Sequence, residues 1–389
     1  MSVRKRTWTS KGEVKEAWIV DYTDQAGDRH IETFAKKKDA DARHDEVRQG
    51  VRRGTHVAAS KSITVAEAAK NWISAGEGHG LERATLKTYG EHVDQHIVPF
   101  IGRMKLSELN APAVRKFEET LRKQGRSTAM RSKILVSLGS LIADAQEHGL
   151  AAHNAVRDLR RNRKRGKDRQ AELRRRGKLK IGVDIPTLEE ISAILAQSPG
   201  RWRPFLVTAV FTGLRASELR GLRWADVDLK ANELHVSQRA DRYNDIGRPK
   251  SAAGERTVPF GPIVANALKE QKLVSKKTDL NLVFCTASGL PLEHSNALKA
   301  SLLAAQVKAG ILVDGKPKYT GLHVLRHFYA SWCIDRKLAP KVVQERLGHS
   351  SITMTYDRYG HLFPRGDDAE EIDAAERAVV DATRMQHRA

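Results

Sequence analysis

The sequence predicts a multidomain, mainly α protein with small β elements. Three observations carry this expectation. At 389 residues the chain is longer than one hydrophobic core usually serves. Apolar residues at helical spacing dominate from residue 63 to about 156 and recur beyond 187. Strand-like alternation is confined to short stretches, the clearest near the start. Forty per cent hydrophobic residues, with Trp, Leu and Val spread throughout, imply a folded soluble protein. No apolar run approaches membrane-spanning length, and Met1 opens a polar, charged stretch, so neither a membrane span nor a signal peptide is expected. Cys285 and Cys333 make no disulfide framework, which points to a reducing cytoplasm.

Residues 1–56 read as a β-then-α unit. "AWIVDY" alternates Trp18, Val20 and Tyr22 against Ile19 and Asp21, "TDQAGD" turns, and "RHIETF" forms a second strand. A charged helix follows, closed by Gly54. Such a unit suits a DNA groove or an oligomerisation contact. Residues 63–156 predict four helices. Val65, Ala68, Ala69, Trp72 and Ile73 mark the first; the second ends near Pro99; Asn110 caps the third; the fourth runs from Ser127 to Gly149. Residues 157–180 carry roughly a dozen Lys and Arg and cannot bury a core, so 157–186 is expected as a basic linker. The largest domain, 187–366, mixes helices with a few strands. A tail, 367–389, places Ile372, Ala375, Val379 and Ala382 on one helical stripe.

Charge narrows the function. Lys and Arg number 68 against 47 Asp and Glu, a net +21, which favours a polyanionic partner, nucleic acid being the commonest. Four segments of the large domain carry groups suited to a phosphodiester. In "FTGLRASELRGLRWADVDL", Gly213 permits a tight turn ahead of Arg215 and Glu218, whose spacing lets the carboxylate hold the guanidinium. In "RPKSAAGERTVPF", Lys250 sits near a hairpin tip. "HVLRHFYASWCI" places His323, Arg326 and His327 on one helix. "LGHSSITMTYDRYGHLF" holds His349, Tyr356, Tyr359 and His361. Histidines at i and i+4 suit zinc, but no Glu follows His323, no further ligand has the spacing, and Arg326 would crowd a cation. No metal and no cofactor are therefore expected. A phosphate uses all the parts: arginines fork onto oxygens, a histidine exchanges a proton, and a lysine reaches a leaving oxygen.

The set Arg215, Lys250, His323-x-x-Arg326, His349 in "LGH" and a following tyrosine resembles the tyrosine recombinase family, in particular phage-type integrases. The likeness covers 187–363 closely, 63–156 as the family's four-helix SAM-like core-binding domain, and 1–56 more loosely as an arm-binding domain. It implies a mixed α/β catalytic domain in which a tyrosine attacks DNA and leaves a 3′-phosphotyrosyl link, with no ATP or metal. It implies that Arg215 and Arg326 bind the phosphate oxygens, that His323 accepts a proton or binds the phosphate, and that Lys250 protonates the departing 5′ oxygen. It further implies that His349 donates to the phosphate and that Glu218 buttresses the arginine and the histidine. Tyr359, in "YGHLFP", is preferred over Tyr356 as nucleophile. His327 is read as structural, and His361 as a positioning or a surface residue.

The partners that follow are double-stranded DNA attachment sites, a tetramer assembled on DNA, a host DNA-bending protein and an excision factor, in the cytoplasm of a bacterial host. Rival readings are a type IB topoisomerase, a telomere resolvase, and a DNA-binding regulator with a decayed active site. The attachment sequences are not readable from one chain, because base readout needs placed side chains.

Overall fold

The computed structural model describes residues 1–10, 13–25, 27–53, 57–58, 62–163, 178–198, 200–275, 277–364, 372–374 and 376–377. They are mostly helical with small sheets, and the chain divides into two compact units, Met1–Lys167 and Asp168–Ala389. No helix among the described residues is long and apolar enough to cross a membrane.

The first unit opens with an antiparallel meander, β1 (Ser2–Ser10), β2 (Glu13–Thr23) and β3 (Arg29–Phe34), in the order β1-β2-β3. Alternation sends Val20 and Tyr22 to one face, where Val3, Trp18 and Phe34 join them against Ala40, Val47 and Val51 of the helix Lys37–Arg53. Strand β1 was not among the expected strands. Its "SVRKRTWTS" supplies little apolar alternation, and pairing with β2 rather than its own burial makes it a strand.

The helical part of this unit builds one apolar core from Trp72, Ile97, Phe117, Leu138 and Leu141. Thr64 and Glu67 form a capping box at Val65–Gly78, and Asn110 accepts from the Ala113 amide at 3.0 Å to start Ala111–Lys123. The second helix ends near Pro99, as expected, though not because of it: Arg83–His92 passes through a π turn, Val93–Ile97, into Val98–Ile101, and Pro99 lies in the first turn of that last piece. One expectation needs correction: the helices among the described residues are not four. A fifth, Ala155–Arg163, takes the first residues expected in the basic linker, because Val156 and Leu159 bury against the core. Linker residues 164–177 lie outside the described residues.

The second unit is organised around the helix Arg203–Thr212. Its "RPFLVTAVFT" is apolar on nearly every side and almost wholly buried, so neighbours must surround it. The helices Pro262–Val274 and His323–Asp335 pack on it. A three-stranded antiparallel sheet joins Val227–Asp228, Glu233–Val236 and Arg256–Pro259, with a two-stranded hairpin, Arg239–Ala240 with Ile246–Gly247, inserted before the last strand. The helices Pro340–Leu347 and Ile352–Tyr359 complete the unit. Of the tail, residues 372–374 and 376–377 are helical, with Ile372 exposed. Ala375, Val379 and Ala382 of the expected stripe lie outside the described residues.

Candidate active site

A helix leaves its last carbonyls without partners and carries partial negative charge there. The helix Pro340–Leu347 ends in this way, and three arginines from elsewhere in the unit take three successive carbonyls. Arg256 Nε donates to Arg346 O at 2.7 Å, Arg326 Nη2 donates to Leu347 O, and Arg215 Nη2 donates to Gly348 O at 3.0 Å. Gly348 permits the close approach. Its φ is +61°, and an added Cβ would lie 2.7 Å from Ala253 O and 2.9 Å from Arg256 Nη1. Gly213 plays a matching part at the end of Arg203–Thr212, with φ +62° and its carbonyl accepting from Arg326 Nη1 at 2.8 Å. A side chain there would strike the Tyr329 ring.

One carboxylate binds this cluster. Arg215 caps the helix Ala216–Gly221; its amide donates to Glu218 Oε2 at 2.9 Å and its Nη1 to Oε1 at 2.6 Å. Arg256 approaches the same carboxylate with Nη2 at 2.9 Å and Nη1 at 3.2 Å. Burial opposes ionisation of Glu218. The charge and hydrogen bonds of Arg256, then the charge of Arg215, outweigh it and hold the carboxyl below its usual range. Arg326 is 1 % exposed; desolvation first, then repulsion from Arg215, lower its pKa to about 9. Guanidiniums outnumber carboxylates here, so the cluster favours an added anion.

The histidines stand around the arginines. His349 follows Gly348 directly, is buried, and shares a 2.9 Å hydrogen bond between Nδ1 and Thr355 Oγ1. Burial and then Arg326 and Arg215 push it down to about 3. His323 presents an exposed edge; desolvation, then Arg326, Arg215 and Arg358, hold it below the ordinary histidine range. Its ring meets His327 edge to face, centroids 4.6 Å apart.

The two tyrosines differ sharply. Tyr359 is 1 % exposed, whereas Tyr356 is 50 % exposed and packs its ring near Phe363. Burial pushes Tyr359 up to about 12, against the opposing charges of Arg326 and Arg358. Its hydroxyl lies 2.6 Å from His327 Nδ1. His327, expected to serve helix packing, therefore touches the preferred nucleophile. His361 bonds through Nε2 to Leu179 O at 2.7 Å, and Leu179 packs against the small core that includes Tyr359, so His361 ties down the segment that follows Tyr359.

The structure thus brings Arg215, Glu218, His323, Arg326, His349 and Tyr359 into one neighbourhood. Lys250 is exposed, on a bend between the Arg239–Gly247 hairpin and the strand Arg256–Pro259. Arg220 fixes that hairpin. It is buried and donates through Nε to Leu292 O, through Nη1 to Asp241 O at 3.1 Å, and through Nη2 to Asn244 Oδ1. Arg256 and Arg220 belong to no spacing pattern. Their one sequence signal is a charged residue inside an otherwise apolar local pattern, "RTVPF" and "ELRGL". Among the described residues no group of three His, Cys, Asp or Glu could hold a metal.

Residues 186–365 match the model of the phage integrase family. The chain is 27 % identical over 355 residues to a tyrosine recombinase XerC-like protein of Caldanaerobacter subterraneus subsp. tengcongensis, covering 85 % of this chain and 87 % of that one. It is 28 % identical to prophage integrase IntR of Escherichia coli K12, over 61 % of this chain and 58 % of that protein. In fold it is similar to the Tn1549 transposon integrase solved with a circular intermediate DNA, at TM-score 0.63 and 19 % identity, covering 82 % of this chain and all of the other. It is likewise similar to a lambda integrase tetramer solved on a Holliday junction, at TM-score 0.55 and 16 % identity, covering 89 % and 96 %.

Proposed function

The chain is a site-specific tyrosine recombinase of the integrase kind, and on that premise we propose that it integrates and excises a phage or other mobile element by transesterification at Tyr359. The observation that carries the assignment is the convergence of Arg215 and Arg326 on one helix end beside a buried Tyr359.

The chemistry follows from charge. Attack on a phosphodiester adds negative charge at the equatorial oxygens, and preorganised donors stabilise it without reorganisation. Arg215 and Arg326 have their guanidiniums aimed by backbone carbonyls, so their remaining N–H groups can serve a phosphate. His349 and His323 add hydrogen bonds to it. Glu218 and Arg256 keep the guanidiniums in place. The Tyr359 oxygen bonds to phosphorus, the P–O5′ bond breaks, and Lys250 supplies the proton that the 5′ oxygen takes. The ester energy is kept in the 3′-phosphotyrosyl link, so rejoining needs no energy source.

The partner in this reading is double-stranded DNA, which agrees with a net charge of +21 and with DNA-bound relatives of the same fold. Residues 1–56 bind arm-type DNA, the helices from residue 63 clamp the core site, and protomers assemble as a tetramer on two duplexes. A nicked suicide substrate tests the reading. The wild-type chain should be trapped as a covalent adduct, and Tyr359→Phe should bind the site yet trap nothing. Trapping by Tyr359→Phe, or strand passage without exchange between duplexes, would contradict it.

A further inference from the structure

A tyrosine hydroxyl must lose its proton as it attacks, and a group within hydrogen-bond reach is needed to take it. In this molecule His327 Nδ1 lies 2.6 Å from Tyr359 Oη, and both residues are buried. His323 lies on the same helix, but its ring meets His327 edge to face and its outer edge is exposed. We propose that His327, rather than His323, accepts the proton of Tyr359 during cleavage and returns it during rejoining. This rests on Tyr359 being the nucleophile.

The step balances. The Oη–H bond breaks and its proton passes to His327 Nδ1; the Oη–P bond forms; the P–O5′ bond breaks; the 5′ oxygen takes a proton from Lys250. No oxidant or reductant is involved. His323 is left to face the phosphate, which suits its position at the exposed side of the cluster.

The groups around His327 set its resting state. Tyr359 faces its Nδ1, His323 its ring, and Arg326 and Arg358 bring positive charge from its own helix and from the tyrosine's. Asp184 acts with the opposite sign from the segment before residue 187. Burial first, and then His323, Arg358 and Arg326, hold His327 down to about 3, so it rests neutral with a lone pair for the Tyr359 hydroxyl, and the same cations oppose its protonation until a phosphate lies beside them. The proton it gains is offset by the phosphate charge that accumulates in the same step. A neutral tyrosine held by a neutral histidine is also a resting arrangement that spares the buried site an uncompensated phenolate.

The test is the pH dependence of single-turnover cleavage by the full chain, from about pH 6 to 9, with binding measured alongside. Wild-type cleavage should be nearly flat over this range. His327→Ala should be slower at neutral pH by about 100-fold, within the usual range for loss of a general base, and should climb with hydroxide by about tenfold per pH unit. His327→Asn places an amide oxygen near the Nδ1 position, so it keeps the hydrogen bond but cannot take the proton. It should share the steep profile of His327→Ala. A flat profile in His327→Asn, whatever its absolute rate, would overturn the proposal and leave His327 a positioning residue. Tyr359→Phe, run in parallel, separates the two readings: an adduct from Tyr359→Phe removes the nucleophile assignment, whereas its absence together with flat His327 profiles removes only the proton acceptor.

Discussion

The helical bundle of the first unit and the arginine cluster of the second are both buried and both made largely of helices, yet their interiors are built oppositely. The bundle closes on Leu138, Leu141, Ile97 and Phe117, with His92 and Ser137 as a bonded polar pair. The cluster buries Arg256, Arg326, Glu218, His327 and His349. Apolar burial stabilises by roughly 1.5–3 kcal/mol per large side chain. Burying charge costs energy unless each group is paired, and a buried pair is often no more stabilising than an apolar substitute. A sequence that keeps three guanidiniums on one helix end is therefore holding an anion site, and stability is not the reason for the arrangement. The partners chosen fit this. Backbone carbonyls orient Arg326 without neutralising it, and Arg215 and Arg256 share the single Glu218 carboxylate, so the cluster keeps positive charge for a phosphate.

The largest expected effect lies in the cluster. Arg326→Ala should slow cleavage by at least a hundredfold, since losing one transition-state donor costs about 3–4 kcal/mol. It would also free two helix-end carbonyls, so a folding check by circular dichroism belongs with the rate. Arg326→Lys should recover little, because an ammonium cannot span Gly213 O, Leu347 O and a phosphate together. A lysine variant with full single-turnover activity would show that point charge suffices. In the bundle, Leu138→Ala should cost about 2–5 kcal/mol of stability and leave the cleavage rate of the folded protein unchanged.

The contrast also predicts a difference in acid. His327 and His349 are held near 3 in the fold against about 6.5 when unfolded. Between these values the unfolded chain binds more protons, so their contribution is complete above about pH 6.5 and is lost as pH falls toward 3. Glu218, held below its usual range, loses its contribution in the same direction as it is protonated. Burial lowers His92 and His96 of the bundle too, but the bundle has no Glu218–arginine network. Hydrogen exchange on the full chain, corrected for pH, should show the helix ends at Gly213 and Gly348 opening at a higher pH than the Leu138 helix. Simultaneous opening would remove the contrast.

A smaller effect is expected outside the cluster. Arg220→Met should free the Arg239–Gly247 hairpin and slow cleavage by about tenfold or less, with DNA binding kept, because it acts only through the placement of Lys250. A 5′-bridging phosphorothiolate substrate should erase the defect. A thiol leaves near pKa about 8.5 and needs no proton donor, so a defect that persists would place Arg220 in general stability.

The order and spacing of Arg215, His323, Arg326, His349 and Tyr359 made the candidate site legible, because motifs on separate elements were already in sequence. Gly213 was legible as a turn, though not as a point where a guanidinium meets a carbonyl, and Gly348 carried no signal beyond its place in "LGH". His327 was read as packing, since a histidine's partner is set by the helix it faces and not by its neighbours in sequence. Arg256 and Arg220 were silent for the same reason. In the fold, paired apolar alternation revealed β2 and β3, while β1 became a strand by pairing alone. Leu159 was hidden in a charge run and Val156 at its edge, because two apolar residues do not announce a helix until a core receives them.

The central claim is that a buried tyrosine beside oriented arginines cuts DNA without a metal. It is tested most directly by trapping the chain on a nicked suicide substrate in EDTA, digesting the adduct, and mapping the modified peptide by mass spectrometry. The account predicts a nucleotide 3′-phosphate on Tyr359, in the peptide that contains "YGHLFP". Attachment to Tyr356, or cleavage that requires an added divalent ion, would contradict it.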